Sequence, residues 1–147
     1  MIDAPQFGAA DVAAILGEQE TTIRRWHHAG GFSRHFGQKS EYAVRYSARD
    51  VAGIAVARDL LALGFPPPLA ARIGASVTYE DPSPDALVEG SPHDIASIAP
   101  PAGSGIAQDR VAWRMPAKTA SRISVPIGRI FADVTEKATS LRHARAH

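Results

Sequence analysis

Between Thr21 and His28 the chain sets Thr21, Thr22, Arg24, Arg25 and His28 around two apolar residues three apart, Ile23 and Trp26. Residues three apart share a helix face, so a helix that buries Ile23 and Trp26 turns hydroxyl, guanidinium and imidazole groups outward or to its flanks. Such groups suit the edges of bases in a major groove. Arginine pairs with O6 and N7 of guanine through two hydrogen bonds, and threonine reaches a base, a phosphate or a thymine methyl. The chain has no asparagine, so reading adenine by a carboxamide falls to glutamine. Of Gln6, Gln19, Gln38 and Gln108, Gln19 lies best, just ahead of the helix. Further along, Arg34, His35, Lys39 and Arg45 are interleaved with Phe32, Phe36, Tyr42 and Tyr46. At period two, one side of such a segment packs while the other reaches for phosphate. The competing reading is solvated surface for the cations and plain core for Trp26, Phe32 and Phe65.

Charge along the chain favours the first reading. Residues 22–49 hold six Lys or Arg against Glu41 alone, whereas residues 1–21 hold four acids and no Lys or Arg. Residues 80–109 carry six acids and no base, and residues 110–147 carry eight bases and two acids. The net charge of +1 is therefore a cancellation of blocks, and blocks bear on partners and internal docking rather than on fold.

Other chemistries are missing their residues. With no cysteine, disulfides, thiolate zinc sites, iron–sulfur clusters and a cysteine nucleophile are excluded. The chain has no phosphate-binding Gly-x-x-x-x-Gly-Lys loop, no Gly-x-Gly-x-x-Gly and no Gly-x-Ser-x-Gly elbow. His143 and His147 lie four apart but lack a third ligand, and neighbours such as His27 and His28 diverge by about 100° on a helix. No enzyme activity, metal or cofactor is expected. No apolar run approaches the roughly 18 residues a membrane span needs. The opening MIDAPQFGAADV lacks a basic segment followed by an apolar one, so a cytoplasmic location is expected.

The elements that must position these groups can be read from periodicity and caps. Ala9–Leu16 places Val12, Ile15 and Leu16 on one face and stops at Gly17. Thr21 or Thr22 is expected to cap a second helix running to about His28, with Gly30 and Gly31 ending it. Two strands, Phe32–Phe36 and Tyr42–Tyr46, are expected around a turn at residues 37–40. Ser47 and Asp50 form a capping-box pattern ahead of a long helix that Gly64 terminates. Leu69–Ile73 is expected to be a short last helix after Pro66–Pro68.

Over residues 7–73 this pattern resembles the winged helix-turn-helix of the MerR family. Ile15-Leu16-Gly17 is similar to the end of that family's first helix. Residues 22–32, TIRRWHHAGGF, resemble its recognition signature, Tyr46–Val51 the exit from its wing, and Leu60–Phe65 its Leu-x-x-x-Gly-Phe helix end. The family's wing arginine falls on Val44, with Arg45 one position on, and its long dimerisation helix is replaced by an acidic, proline-rich stretch. The resemblance implies sequence-specific binding of double-stranded DNA, with Arg24 at the base edges and the wing on the backbone. Gln19, Thr21, Thr22, Arg24, Arg25, His28, Arg34, Lys39 and Arg45 are the candidate DNA-binding residues. The absence of cysteine excludes the metal-sensing branch.

Beyond residue 79 the reading rests on composition. Residues 80–109, rich in Pro, Gly, Ser and acid, read as a linker with a short element near Asp94–Ala99. Val111–Met115 and Arg122–Val125 read as strands. Ile127, Ile130, Phe131, Val134, Ala138 and Leu141 form an apolar stripe on a following helix. A β-β-α piece of that size buries too little to stand alone. Self-association through Ile127, Ile130, Phe131, Val134 and Leu141 is favoured over docking within the chain or on another protein. The expected molecule is α+β and mainly α: a winged helix-turn-helix head (1–79), a linker (80–109) and a β-β-α tail (110–147). Its expected role is that of a homodimeric transcription regulator of bacterial or phage type. An excisionase-like or architectural DNA-binding factor, or an adaptor binding a protein partner through residues 110–147, are the alternatives.

Overall fold

The computed structural model describes residues 2–107 and 122–146. Helix α1 (Ala9–Leu16) starts where the Asp11 carboxylate accepts the Gly8 N–H at 2.8 Å, and ends at Gly17, whose φ of 69° is the left-handed conformation expected of it. Helix α2 (Glu20–His28) begins earlier than the threonines suggest. Gln19 is its N-cap residue, and its carbonyl accepts the N–H of Thr22 at 3.0 Å. Thr21 and Thr22 therefore sit in the first turn, behind an acidic Glu20 that suits the positive end of the helix dipole.

After α2 the chain departs from the expected pair of five-residue strands. Phe32–Arg34 is a single 3-10 turn, and β1 (Gln38–Lys39) occupies part of the segment expected to turn. Period two would align Arg34 with Phe32 and Phe36; instead only the two phenylalanines are buried, with rings 5.7 Å apart, four residues apart as on a helical turn. Strand β2 is Val44–Arg45, antiparallel to β1 with Gln38 opposite Arg45 and Lys39 opposite Val44. The Ser40 N–H and hydroxyl both donate to the Ala43 carbonyl and close the turn. Tyr46 then exchanges backbone hydrogen bonds with Phe7, tying the hairpin to the segment before α1.

Helix α3 (Ala48–Ala62) carries the expected cap: Ser47 Oγ accepts the Asp50 N–H at 2.9 Å while the Asp50 carboxylate accepts the Ser47 N–H at 3.0 Å. It is the central helix, buried almost throughout from Ala48 to Ala57. Helix α4 (Pro67–Val77), longer than the short helix expected there, crosses it so closely that a Cβ on Gly74 would lie 2.4 Å from the Gly53 carbonyl oxygen.

Residues 80–107 are not a free linker. Strand β3 (Val88–Gly90) pairs with β4 (Ile123–Val125), with Val88 opposite Val125 and Gly90 opposite Ile123. Between them α5 (Pro92–Ala96), capped by Ser91, drives Ile95 into the core at 1% exposure. Buried Arg72 of α4 donates to the carbonyls of Ala96 and Ile98 and holds this segment down. The strand expected at Val111–Met115 and the turn at 116–121 lie outside the described residues; β4 falls where the second tail strand was expected.

Helix α6 (Ile127–Ala146) has the expected stripe, but its destination differs. Ile127, Phe131, Val134 and Ala138 are buried inside the chain, with Ile130 and Leu141 partly buried beside them, and α6 packs on α3. Burial of a large aliphatic or aromatic side chain is worth roughly 1.5–3 kcal/mol, so this docking is a main source of cohesion. The stripe assigned to self-association is thus consumed intramolecularly, because α3 offers it an apolar surface at no cost of association.

Candidate nucleic-acid interface

Local geometry presents α2 as the sequence requires. Ile23 is buried and Trp26 half-buried, its ring stacked on Phe32 at 5.6 Å, which fixes the rotation of the helix. Thr21, Arg24, Arg25 and His28 are exposed, Thr22 is half-exposed, and Gln19 is exposed at the head of the helix. Arg34 projects from the 3-10 turn, and Lys39 and Arg45 are exposed on the hairpin.

The fold sorts these residues into two groups. An open cleft of about 330 Å³ separates α2 from the hairpin, with the start of α1 as its floor. Arg24 and His28 line it from α2, and Arg45 from β2. Gln19, Thr21, Thr22, Arg25, Arg34 and Lys39 stand outside its lining. Arg45 reaches across to α1: its Nη1 lies 2.8 Å from where a Cβ on Gly8 would stand.

Arg24 is partnered by its own helix. Its Nη2 lies 2.5 Å from Glu20 Oε1, one turn earlier, with the side chain 66% exposed. An exposed pair at this spacing is worth only about 0.3–0.5 kcal/mol, so Arg24 can exchange Glu20 for another acceptor at little expense. Arg25 has no ion pair among the described residues. By contrast Arg49, a member of the basic block, is turned inward to Asp3 and Asp81, each at 2.7 Å.

Two cleft residues escaped the sequence reading. His27 Nδ1 lies 3.2 Å from the buried Tyr46 hydroxyl, and its ring meets that of His28 edge-on at 5.0 Å. Burial first, and then the neighbouring His28, hold the His27 pKa below its ordinary value. Tyr46 is pushed up to about 12, mainly by burial and further by the Asp50 charge, against an opposing pull from Arg24. At neutral pH the pair is therefore a phenol against an uncharged imidazole. If the phenol donates to Nδ1, the ring proton sits on Nε2. The only sequence signal for this contact is the His27–His28 doublet, and a doublet points to chelation sooner than to a strut. At the hairpin tip Tyr42 is 91% exposed, the most exposed of the large hydrophobic residues among those described.

Among the described residues no group of three or more His, Cys, Asp or Glu is placed to hold a metal ion, and no helix is long and apolar enough to cross a membrane. Residues 9–75, just under half of the chain, match the family described as MerR HTH family regulatory protein. No curated protein and no solved structure matches the chain.

Proposed function

From the premise that residues 9–75 carry a MerR-family helix-turn-helix, we propose that this DNA-binding regulator reads a specific site with α2 in the major groove. The β1–β2 hairpin acts as a wing on the flanking phosphates. The observation that carries this reading is the cleft in which Arg24 and His28 of α2 face Arg45 of the hairpin. One guanidinium is thus offered to base edges and another to the backbone. Thr21, Thr22 and Arg25 widen the α2 face, Gln19 stands at its entrance, and Arg34 and Lys39 add charge at the flanks. A cytoplasmic protein acting on bacterial or phage DNA fits the same reading.

One protomer engages one half-site, since Ile127, Phe131 and Val134 are buried in the chain's own core. An adaptor acting through residues 110–147 would have to use the outward side of α6 instead. Selection of bound sequences from a random pool tests the proposal: enrichment of a defined motif supports it, and recovery of no motif overturns it. A palindromic motif would assign dimerisation to some other surface. If four to five phosphates are neutralised per protomer, log K should fall against log salt with a slope of about −4.

Tyr42 favours one second reading, an architectural factor that bends its site. A nearly bare aromatic ring at the hairpin tip can lodge against sugars or a base step of the minor groove. A circular-permutation bending assay on the selected site separates the two. Free and bound fragments that report the same trajectory exclude it.

A further inference from the structure

The carboxy-terminal end of α6 lies outside the helix-turn-helix segment, yet it meets that segment at the floor of the cleft. Asp11, in the first turn of α1, lines the cleft together with Arg24, His28 and Arg45. One of its carboxylate oxygens accepts the Gly8 N–H and the other accepts from Arg145, in the last turn of α6. Arg45 of the hairpin therefore lies against Gly8, and Arg145 of the tail pairs with Asp11. Three residues before Arg145, and so on the same side of the helix, Arg142 lies along Gln6 and Phe7. It has no ion pair among the described residues.

We propose that Arg142 and Arg145 form a third phosphate-binding point, extending the DNA-binding surface of the helix-turn-helix onto the tail helix. The inference rests on the DNA-binding reading above. Three physical points support it. The start of α1 is the positive end of its dipole and favours an anion, but the Asp11 carboxylate there repels a second one. Arg145 neutralises that carboxylate, as Arg24 neutralises Glu20 on α2. Arg145 is also half exposed while paired to Asp11, and it leaves Arg142 as uncompensated positive charge on the same surface. The backbone of a duplex lying across the start of α1, as the first helix of such motifs crosses it, passes next to both guanidinium groups.

The test measures affinity for the selected DNA site between about 50 and 200 mM salt, for the full chain and two variants. Arg142→Ala with Arg145→Ala should make the slope of log K against log salt shallower by about 2, a loss of about tenfold in salt sensitivity over that range, with base preference unchanged. Asp11→Asn keeps an oxygen for the Gly8 N–H but releases Arg145, and should bind as tightly as the parent or more tightly. An unchanged slope in the double variant, with its melting curve intact, overturns the proposal. Equal weakening by Asp11→Asn and by the double variant also overturns it, since Arg145 would then be a strut for α1. Failure of the parent chain to bind any DNA overturns the DNA-binding reading and this inference together, and so is distinct from the other two outcomes.

Discussion

Arg24 and His27 occupy neighbouring positions on α2 with opposite prospects. Arg24 is exposed and held only by Glu20, so it can exchange that carboxylate for a base edge. Arg24→Ala should cost about 1–3 kcal/mol at the selected site and little at unrelated sequences; equal loss everywhere in competition binding would make Arg24 a backbone clamp instead. His27 is committed to Tyr46 and disfavours its own charge. Since its folded pKa lies below the ordinary 6.5, the unfolded chain takes up the proton first. The contribution of His27 is thus intact above that value and is lost as pH falls through the folded pKa. His27→Gln should make the urea midpoint fall less between pH 7.5 and pH 5.5 than it does in the parent, whereas an identical fall in both chains would remove His27 from the balance.

At the scale of elements, the closest approach decides what can be changed. Helices α3 and α4 meet backbone to backbone at Gly53 and Gly74, with no space for a side chain on the latter. Gly74→Val must separate the helices and should lower stability by about 1–3 kcal/mol or more in urea unfolding, as overpacked cores do. Ser47→Ala removes one half of the α3 cap and should cost about 0.5–2 kcal/mol. The caps and stops of these helices were legible because each depends on residues within one turn: Gly17 after α1, and Ser47 with Asp50 before α3. The 3-10 turn at Phe32–Arg34 was not. Phenylalanines four apart fit a strand and a helical turn equally well, and only the shape of the space below them chose between the two.

For the molecule as a whole, the decisive contact is between head and tail. Arg49 of α3 gathers Asp3, Asp81 and the carbonyls of Thr78 and Tyr79, and its guanidinium sits 5.8 Å from the centre of the Phe131 ring. With α6 packed against α3, tail and head should unfold together. Phe131→Ala should lower the stability of the head by about 3–5 kcal/mol. Trp26 fluorescence in a Trp113→Phe background would report it, and an unchanged Trp26 transition would show the head to be independent. The sequence showed the stripe of α6 but not its counterpart. Periodicity says which face must be covered, and three candidates could cover it.

Local chemistry alone determined the helix-turn-helix, the outward side of α2 and the concentration of positive charge around it. Spacing along a helix and the demands of caps operate over a few residues, and they need no knowledge of what lies opposite. Tertiary structure decided that Arg49 serves the interior while Arg45 serves the cleft, that residues 88–90 find a strand partner at 123–125, and that α6 closes on α3. Each of those outcomes joins segments distant in the chain, where the gain from burial depends on the shape of both surfaces.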